Sequence, residues 1–280
     1  MSNLVAHEVE RLVFTVSGPD AAKYLHSQLS NDIASLSVGE SRYSFVLDPM
    51  GKIVSHVRVA RVDEEVFEID TELVEGLGDL LLARLNRFKI RIKADIIQSR
   101  EKYLAIRSLD QAVVAPPTSA QVVLKAQWGD GSAIDVRLRN SEAVTFATDI
   151  PEDVEAEQIE SLRIQRGWPA MGREMIAGET LPAATGLVPI SVSFTKGCYP
   201  GQELVERMDS RGSTAPKTLR LLRGTDAVGL MVGEPVMVGG ANVGIATSVA
   251  GDCALAYVAR SVEFGEAVGG STGNTTGPAA

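Results

Sequence analysis

The order of predicted strands and helices in the first hundred residues constrains the fold most. Two segments with apolar residues at helical spacing predict helices over residues 19–29 and 73–87. Segments rich in β-branched residues predict strands at 12–17, 41–47, 53–61, 66–70 and 89–97. The order β-α-β-β-β-α-β predicts a ferredoxin-like unit, in which both helices cover one face of an antiparallel sheet.

A second and a third unit are predicted downstream. A helix is expected from Pro151 through Arg166, with strands at 103–107, 122–124, 134–139 and 144–147. Short strands separated by glycine turns after Leu219 predict a small β-barrel. We therefore predict an α+β protein with ferredoxin-like N-terminal and middle units. Its expected parts are residues 1–98, 99–214 and 215–268, followed by a disordered tail, 269–280.

The segment Thr195–Glu203, near the end of the predicted middle unit, carries the clearest chemistry. It places Cys198 between two glycines, and Pro200 suits the first position of a short helix. The positive end of a helix dipole favours a thiolate over a thiol. Basic residues close in sequence add to this effect: Lys196, Arg207 and Arg211. Cys198 and Lys196 are therefore candidate catalytic residues, and the alternative is a cysteine that packs as a small apolar side chain.

Composition limits the classes of function. The chain has 280 residues, two cysteines, three histidines and a net charge of −9, with a pI near 5.0. Two cysteines without ligand spacing predict neither a disulfide framework, nor a metal site, nor an iron–sulfur cluster held by this chain alone. The acidic balance predicts no direct nucleic-acid binding. Because no signal peptide or membrane-spanning run is evident, we expect a cytoplasmic protein with no membrane partner.

The segment Lys196–Glu203, Lys-Gly-Cys-Tyr-Pro-Gly-Gln-Glu, resembles the signature of the YgfZ-type folate-binding proteins, relatives of the aminomethyltransferases of the glycine cleavage system. Three further segments are similar to the family: Val16–Ala21, Asp48–Lys52 and Arg163–Pro169. The resemblance implies three domains around a central channel that holds tetrahydrofolate or a derivative. It also implies a role in assembly or repair of iron–sulfur enzymes with partner or client proteins, and an effect on tRNA modification.

The resemblance and the side-chain chemistry together suggest a set of folate-binding residues. A carboxylate or amide suits the pterin edge, arginine suits the acidic tail, and an aromatic ring suits stacking. The candidates are Tyr199, Gln202, Glu203, Arg207, Arg211, Arg163 and Trp168. Where the family often has aromatic residues facing the folate, this chain has Arg11 and Ile159. Two alternatives stay open: a folate-dependent aminomethyl or one-carbon transferase, and a folate-sensing scaffold without chemistry.

Overall fold

Two β-sheets and five α-helices organise the part of the chain that the computed structural model describes, residues 3–118, 123–126, 131–138, 145–146, 151–210 and 215–268. The first sheet contains β1 (Leu4–Ser17), β2 (Ser41–Leu47), β3 (Ile53–Asp63), β4 (Val66–Glu72), β5 (Asp95–Ser108), β6 (Val123–Lys125), β7 (Ala133–Arg137) and β8 (Glu152–Asp153). The second contains β9 (Lys217–Arg223), β10 (Pro235–Val238), β11 (Ala241–Ala250), β12 (Cys253–Ala259) and β13 (Glu266–Ala267). The helices are α1 (Ala21–Gln28), α2 (Leu77–Arg87), α3 (Ala156–Gln165), α4 (Val188–Ser191) and α5 (Gln202–Ser210), with 3₁₀ turns at Pro182–Ala184 and Gly224–Asp226. These elements confirm a mixed α and β architecture.

The first sheet has the order β2-β3-β4-β1-β5-β7-β6, and β8 pairs in parallel with β1. Strands β1 and β5 pair along their whole length, from Leu4 opposite Ser108 to Ser17 opposite Asp95. The predicted strands 89–97 and 103–107 are therefore corrected to one strand, β5, which begins at Asp95, so residues 89–94 precede it and are not a strand. Its middle is charged and largely exposed, so no apolar pattern marked it as a strand. The predicted boundary between residues 98 and 99 lies inside this strand.

Helices α1 and α2 bury their apolar sides on the N-terminal part of this sheet. One cluster joins Phe14 of β1, Leu25 of α1 and Leu81 of α2, all fully buried. This agrees with the predicted order of strands and helices. Helix α2 begins at Leu77 rather than at residue 73, because Gly76 is left-handed, with φ 73°.

Two further elements differ from their predictions. Helix α3 begins at Ala156 rather than at Pro151, because residues 152–153 pair as β8 with Val5 and Ala6 of β1. The second sheet has the order β10-β11-β12-β9-β13. Within residues 215–268 no pairing joins β10 to β13, so the predicted small β-barrel is an open five-stranded sheet in this part of the chain. Strand β13 is only two residues long, which leaves little backbone to close it.

Some predictions fall outside the described residues. These are the tail 269–280, Arg211, and the ends of the predicted strand 144–147. None of the helices in the described ranges is both long enough and apolar enough to cross a bilayer.

Two glycines hold the signature segment against the turn between β2 and β3. Gly201 has φ +83°, and a Cβ built on it would lie 2.6 Å from the carbonyl oxygen of Asp48 and 2.9 Å from the Cα of Gly51. A Cβ on Gly51 would in turn lie 2.7 Å from the Cβ of Leu204. The two segments approach so closely that neither position has room for a side chain. The contact explains why both segments contain a glycine.

We expect Gly201→Ala to lower the free energy of unfolding by at least about 2 kcal/mol, because it combines backbone strain with a backbone clash. Gly197→Ala is the matched control, since a Cβ there meets nothing within 4 Å. It should change stability by less than about 0.5 kcal/mol. Denaturant titration of both variants measures the difference, and equal losses would contradict the proposed close contact.

Candidate functional site

A cavity of about 530 Å³ opens between β1, the chain that follows β4, and α3. Its apolar lining includes Val9, Leu73, Val74, Ile159 and Met171. Its charged and polar lining includes His7, Glu10, Arg11, Glu72, Arg107, Asp135, Glu160, Arg163 and Arg173. We call it the first cavity. Both positions at which the family often has folate-facing aromatics, Arg11 and Ile159, are among its lining residues.

Buried ion pairs form the charged side of the first cavity. Arg58 Nε lies 2.8 Å from Asp70 Oδ2, and Arg58 Nη1 lies 2.8 Å from Asp135 Oδ2. Arg107 pairs with the other oxygen of Asp135 at 2.9 Å, and Arg11 pairs with Asp70. Burial alone would raise the pKa of Asp135, but Arg107 and Arg58 lower it to about 2. The cavity therefore presents fixed charges that are already paired within the protein.

Arg163 lines the first cavity, but its guanidinium is fully engaged by the protein. Nε donates to Glu160 Oε2 at 2.8 Å, and Nη2 donates to Glu160 Oε1 at 2.7 Å and Ser248 Oγ at 2.9 Å. Nη1 donates to Glu174 Oε2 at 3.0 Å and to the carbonyl oxygen of Trp168. These contacts use all five N–H groups of an arginine. A folate carboxylate would have to displace one of them.

Trp168 packs in the protein interior and does not line the first cavity. Only 2% of it is exposed, and its ring lies 5.1 Å from the ring of Tyr43 and 6.0 Å from that of His56. Tyr43 and His56 are stacked at 5.1 Å. Burial, with a contribution from Arg11, lowers the pKa of His56 to about 3, so the imidazole is neutral. Tyr43 and His56 therefore occupy space beside Trp168 that a stacked ligand ring would need.

A second cavity of about 550 Å³ surrounds the signature cysteine. It is lined by Pro49, Cys198, Tyr199, Gly201, Gln202, Glu203 and Glu206. None of these residues lines the first cavity. The Cys198 thiol is free and exposed. Helix α5 begins at Gln202 rather than at Pro200, because Gly201 has a left-handed backbone.

Side chains at the start of α5 fix the loop around Cys198. The Tyr199 backbone N–H donates to Gln202 Oε1 at 3.2 Å, and Gln202 Nε2 donates to Glu206. Tyr199 is buried, and burial together with the charge of Glu206 raises its pKa to about 12. The phenol is therefore neutral at physiological pH.

Lys196 ties the signature loop to the end of α1. Its Nζ donates to the carbonyl oxygens of His26 and Leu29 and lies 5.0 Å from the centre of the Tyr199 ring. Burial lowers the pKa of Lys196 to about 8, against the opposing effects of Asp32 and Cys198. Asn31 supports the same junction, donating to the Ile190 carbonyl at 2.9 Å. Lys196 thus positions the loop that carries Cys198.

Two candidate folate-binding residues remain, Arg207 and Arg211, and the described part of the structure places neither in a cavity with the others. Arg207 is exposed on α5 and lines neither cavity, and Arg211 lies outside the described residues. Sequence reasoning missed Arg173, which lines the first cavity, is about half exposed, and pairs with Glu160 at 2.8 Å. Its only sequence signal is its position a few residues after the segment Arg163–Pro169. In the described part of the chain, no three His, Cys, Asp or Glu side chains are placed to hold a metal ion.

A solved structure with the same fold is known. The structure matches the glycine cleavage system aminomethyltransferase T from Bartonella henselae with a TM-score of 0.72 at 17% identity, covering 93% of this chain and 80% of that one. The chain thus shares its fold with this aminomethyltransferase. No family model matches the chain.

Proteins of similar sequence carry the name YgfZ. The chain is 28% identical over 232 residues to the tRNA-modifying protein YgfZ of Klebsiella pneumoniae, covering 75% of this chain and 68% of that protein. It is 28% identical over 229 residues to the tRNA-modifying protein YgfZ of Escherichia coli O157:H7, covering 75% and 69%. The chain is therefore a relative of the YgfZ proteins, and the resemblance stated from the signature is confirmed.

The burial of Lys196 predicts a titration near pH 8 rather than at 10.5. The folded state then binds fewer protons than the unfolded state between these values, so this group's contribution to stability rises with pH across that window. NMR of ¹³C-methylated lysines measures the midpoint. Because the electrostatic effect of Cys198 raises the pKa of Lys196, Cys198→Ser should lower that midpoint further. A midpoint near 10.5, or one unchanged by the substitution, would contradict the described junction.

Proposed function

We propose that this protein binds tetrahydrofolate or a derivative in the first cavity and supports, with partner proteins, the assembly or repair of iron–sulfur enzymes. Through those enzymes it would affect tRNA modification, the activity for which its YgfZ relatives are named. The observation that carries the proposal is that Arg11 and Ile159, at the family's folate-facing positions, line the same cavity. We further propose a cytoplasmic location and a three-domain arrangement around this cavity.

The first cavity suits a folate in size and chemistry. Its volume of about 530 Å³ is within the usual range for a small-molecule site. Leu73, Val74 and Met171 offer apolar surface to the flat rings, and the Arg11 guanidinium offers a cation that favours an aromatic face. Arg173, half exposed at the cavity, is suited to the acidic glutamate tail.

The separation of the two cavities supports different tasks for the folate and the thiol. The lining residues of the first and second cavities do not overlap. Cys198 is exposed, whereas a folate in the first cavity would lie among Ile159, Met171 and Arg173. We therefore propose that the thiol faces a partner protein and does not react with the bound folate.

The alternative function is that of a folate-dependent transferase, because the structural neighbour is an aminomethyltransferase. Such a reaction needs an acid or base beside the folate. Two carboxylates of the first cavity are already committed to arginines: Asp135 to Arg58 and Arg107, and Glu160 to Arg163. Asp135 and Glu160 are therefore poorly suited to proton transfer. Multiple turnover with an aminomethyl donor would instead establish the transferase.

Calorimetric titration with tetrahydrofolate under reducing, anaerobic conditions tests where folate binds. We expect saturable one-site binding, and Arg173→Ala should weaken it about three- to tenfold by removing a charged hydrogen bond at a partly exposed site. Arg207→Ala is the matched control and should leave the dissociation constant unchanged. No binding by the wild type would refute the proposal. Weakening by Arg207→Ala alone would move the folate to the signature helix.

Substitution of the cysteine tests the division of tasks. Cys198→Ser should leave folate affinity within about twofold of the wild type, because the thiol lines the other cavity, while abolishing support of an iron–sulfur enzyme in cells. Enzyme activity of a dependent client and calorimetry of the purified variant give the two readouts. Full cellular activity would remove the thiol from the mechanism, and lost folate binding would contradict the separation of the cavities.

A further inference from the structure

A fully buried carboxylate, Glu174, joins the second sheet to the wall of the first cavity. Its side chain has no exposed surface. Oε2 accepts hydrogen bonds from Arg163 Nη1 and from the Ala170 backbone N–H, each at 3.0 Å, and Oε1 accepts from Ser248 Oγ at 2.6 Å. Ser248 belongs to β11. One carboxylate thus connects α3, the loop after it and the second sheet.

The backbone of the same residue makes a further connection. The Tyr257 hydroxyl, from β12, donates to the Glu174 carbonyl oxygen at 2.8 Å. Ser248 Oγ also accepts from Arg163 Nη2 at 2.9 Å, so the hydroxyl bridges both charged partners. Two neighbouring strands of the second sheet therefore contact a single residue of the loop.

The loop that Glu174 fixes is part of the first cavity. Residues 170–173 all line it. The loop closes on itself through Met175 N–H to the Ala170 carbonyl at 3.0 Å and Gly172 N–H to the Met175 carbonyl at 2.8 Å. The position of Arg173, between these bonds, depends on the segment that Glu174 holds.

The energetics favour a fixed geometry. A buried carboxylate is costly unless its partners satisfy it, and removing one partner leaves an underpaired charge in a medium of low dielectric. Burial opposes the charge of Arg163, yet Glu160 and Glu174 together raise its pKa. The guanidinium consequently stays charged, and the second sheet supplies the hydroxyls that complete the network.

We propose that Glu174, Ser248 and Tyr257 are positioning residues, through which the second sheet sets the wall of the first cavity and the place of Arg173. The proposal rests on the first cavity being the folate site. It gives the second sheet a role in ligand affinity, although none of its residues lines that cavity.

The test compares Ser248→Ala and Tyr257→Phe, each of which deletes one hydroxyl, with Thr247→Val. Thr247 is the neighbour of Ser248 on β11, and its hydroxyl donates instead to the Leu255 carbonyl at 3.0 Å. Hydrogen–deuterium exchange of the ligand-free full-length protein follows the amides of residues 170–175. Calorimetry follows tetrahydrofolate binding.

We expect Ser248→Ala and Tyr257→Phe to speed exchange in residues 170–175 about tenfold, with unchanged exchange in β1 and β5, and to weaken folate binding about three- to tenfold. Thr247→Val should do neither. Exchange that rises equally across the whole protein, or that matches Thr247→Val, would overturn the positioning role. If the wild type binds no folate, the proposed function fails, and the exchange comparison still decides whether the second sheet holds the loop.

Discussion

The pairing of β1 with β5 is the constraint on which the rest of the structure depends. Each strand is 14 residues long, and the pairing runs from one end to the other. It places β4 and β3 on one side and β7 and β6 on the other, so that the N-terminal and middle parts of the chain share one sheet. Helices α1 and α2 pack on the C-terminal half of β1. The first cavity lies along its N-terminal half, next to α3. Every charged group on its β1 and β5 side takes its position from this register.

Ion pairs within the protein determine which groups of the first cavity are available to a ligand. Arg58, Asp70 and Asp135 come from three strands of the shared sheet and satisfy one another at 2.8 Å. Arg163 and Glu174 do the same on the opposite wall. Because breaking such pairs is costly, a ligand is more readily accommodated by the apolar lining and the exposed Arg173. The signature segment is fixed by different means, a glycine–glycine contact and the two hydrogen bonds of Lys196. The two sites thus use different polar contacts, although Met171 of the first cavity and Tyr199 of the second pack in one buried apolar cluster.

Much of the fold could be predicted from the sequence, because periodicity marks helices and half-buried strands well. The elements β2, β3, β4 and α2 lie within a few residues of their predicted positions. The joined strand β5 was missed because its middle is charged, and its partner strand lies about ninety residues earlier in the chain. The signature segment lies just before helix α5, as its sequence predicts, and Cys198 is exposed there. Local chemistry also suggested ligand roles for Arg163 and Trp168. In the structure Arg163 donates to Glu160, to Glu174, to the Trp168 carbonyl and to Ser248 of the second sheet. The rings around Trp168, those of Tyr43 and His56, come from distant segments. Arg173 was missed for the same reason, since only the folded chain brings it beside Arg11 and Ile159.

A crystal structure of the protein with bound tetrahydrofolate would show directly which of the two cavities holds the ligand. We expect density for the rings between Ile159 and Met171, with the glutamate tail near Arg173 and no ligand in contact with Cys198. Density beside Cys198 and Glu203, with the first cavity empty, would contradict it. The folate would then belong to the signature helix, and the separation of folate from thiol would be wrong.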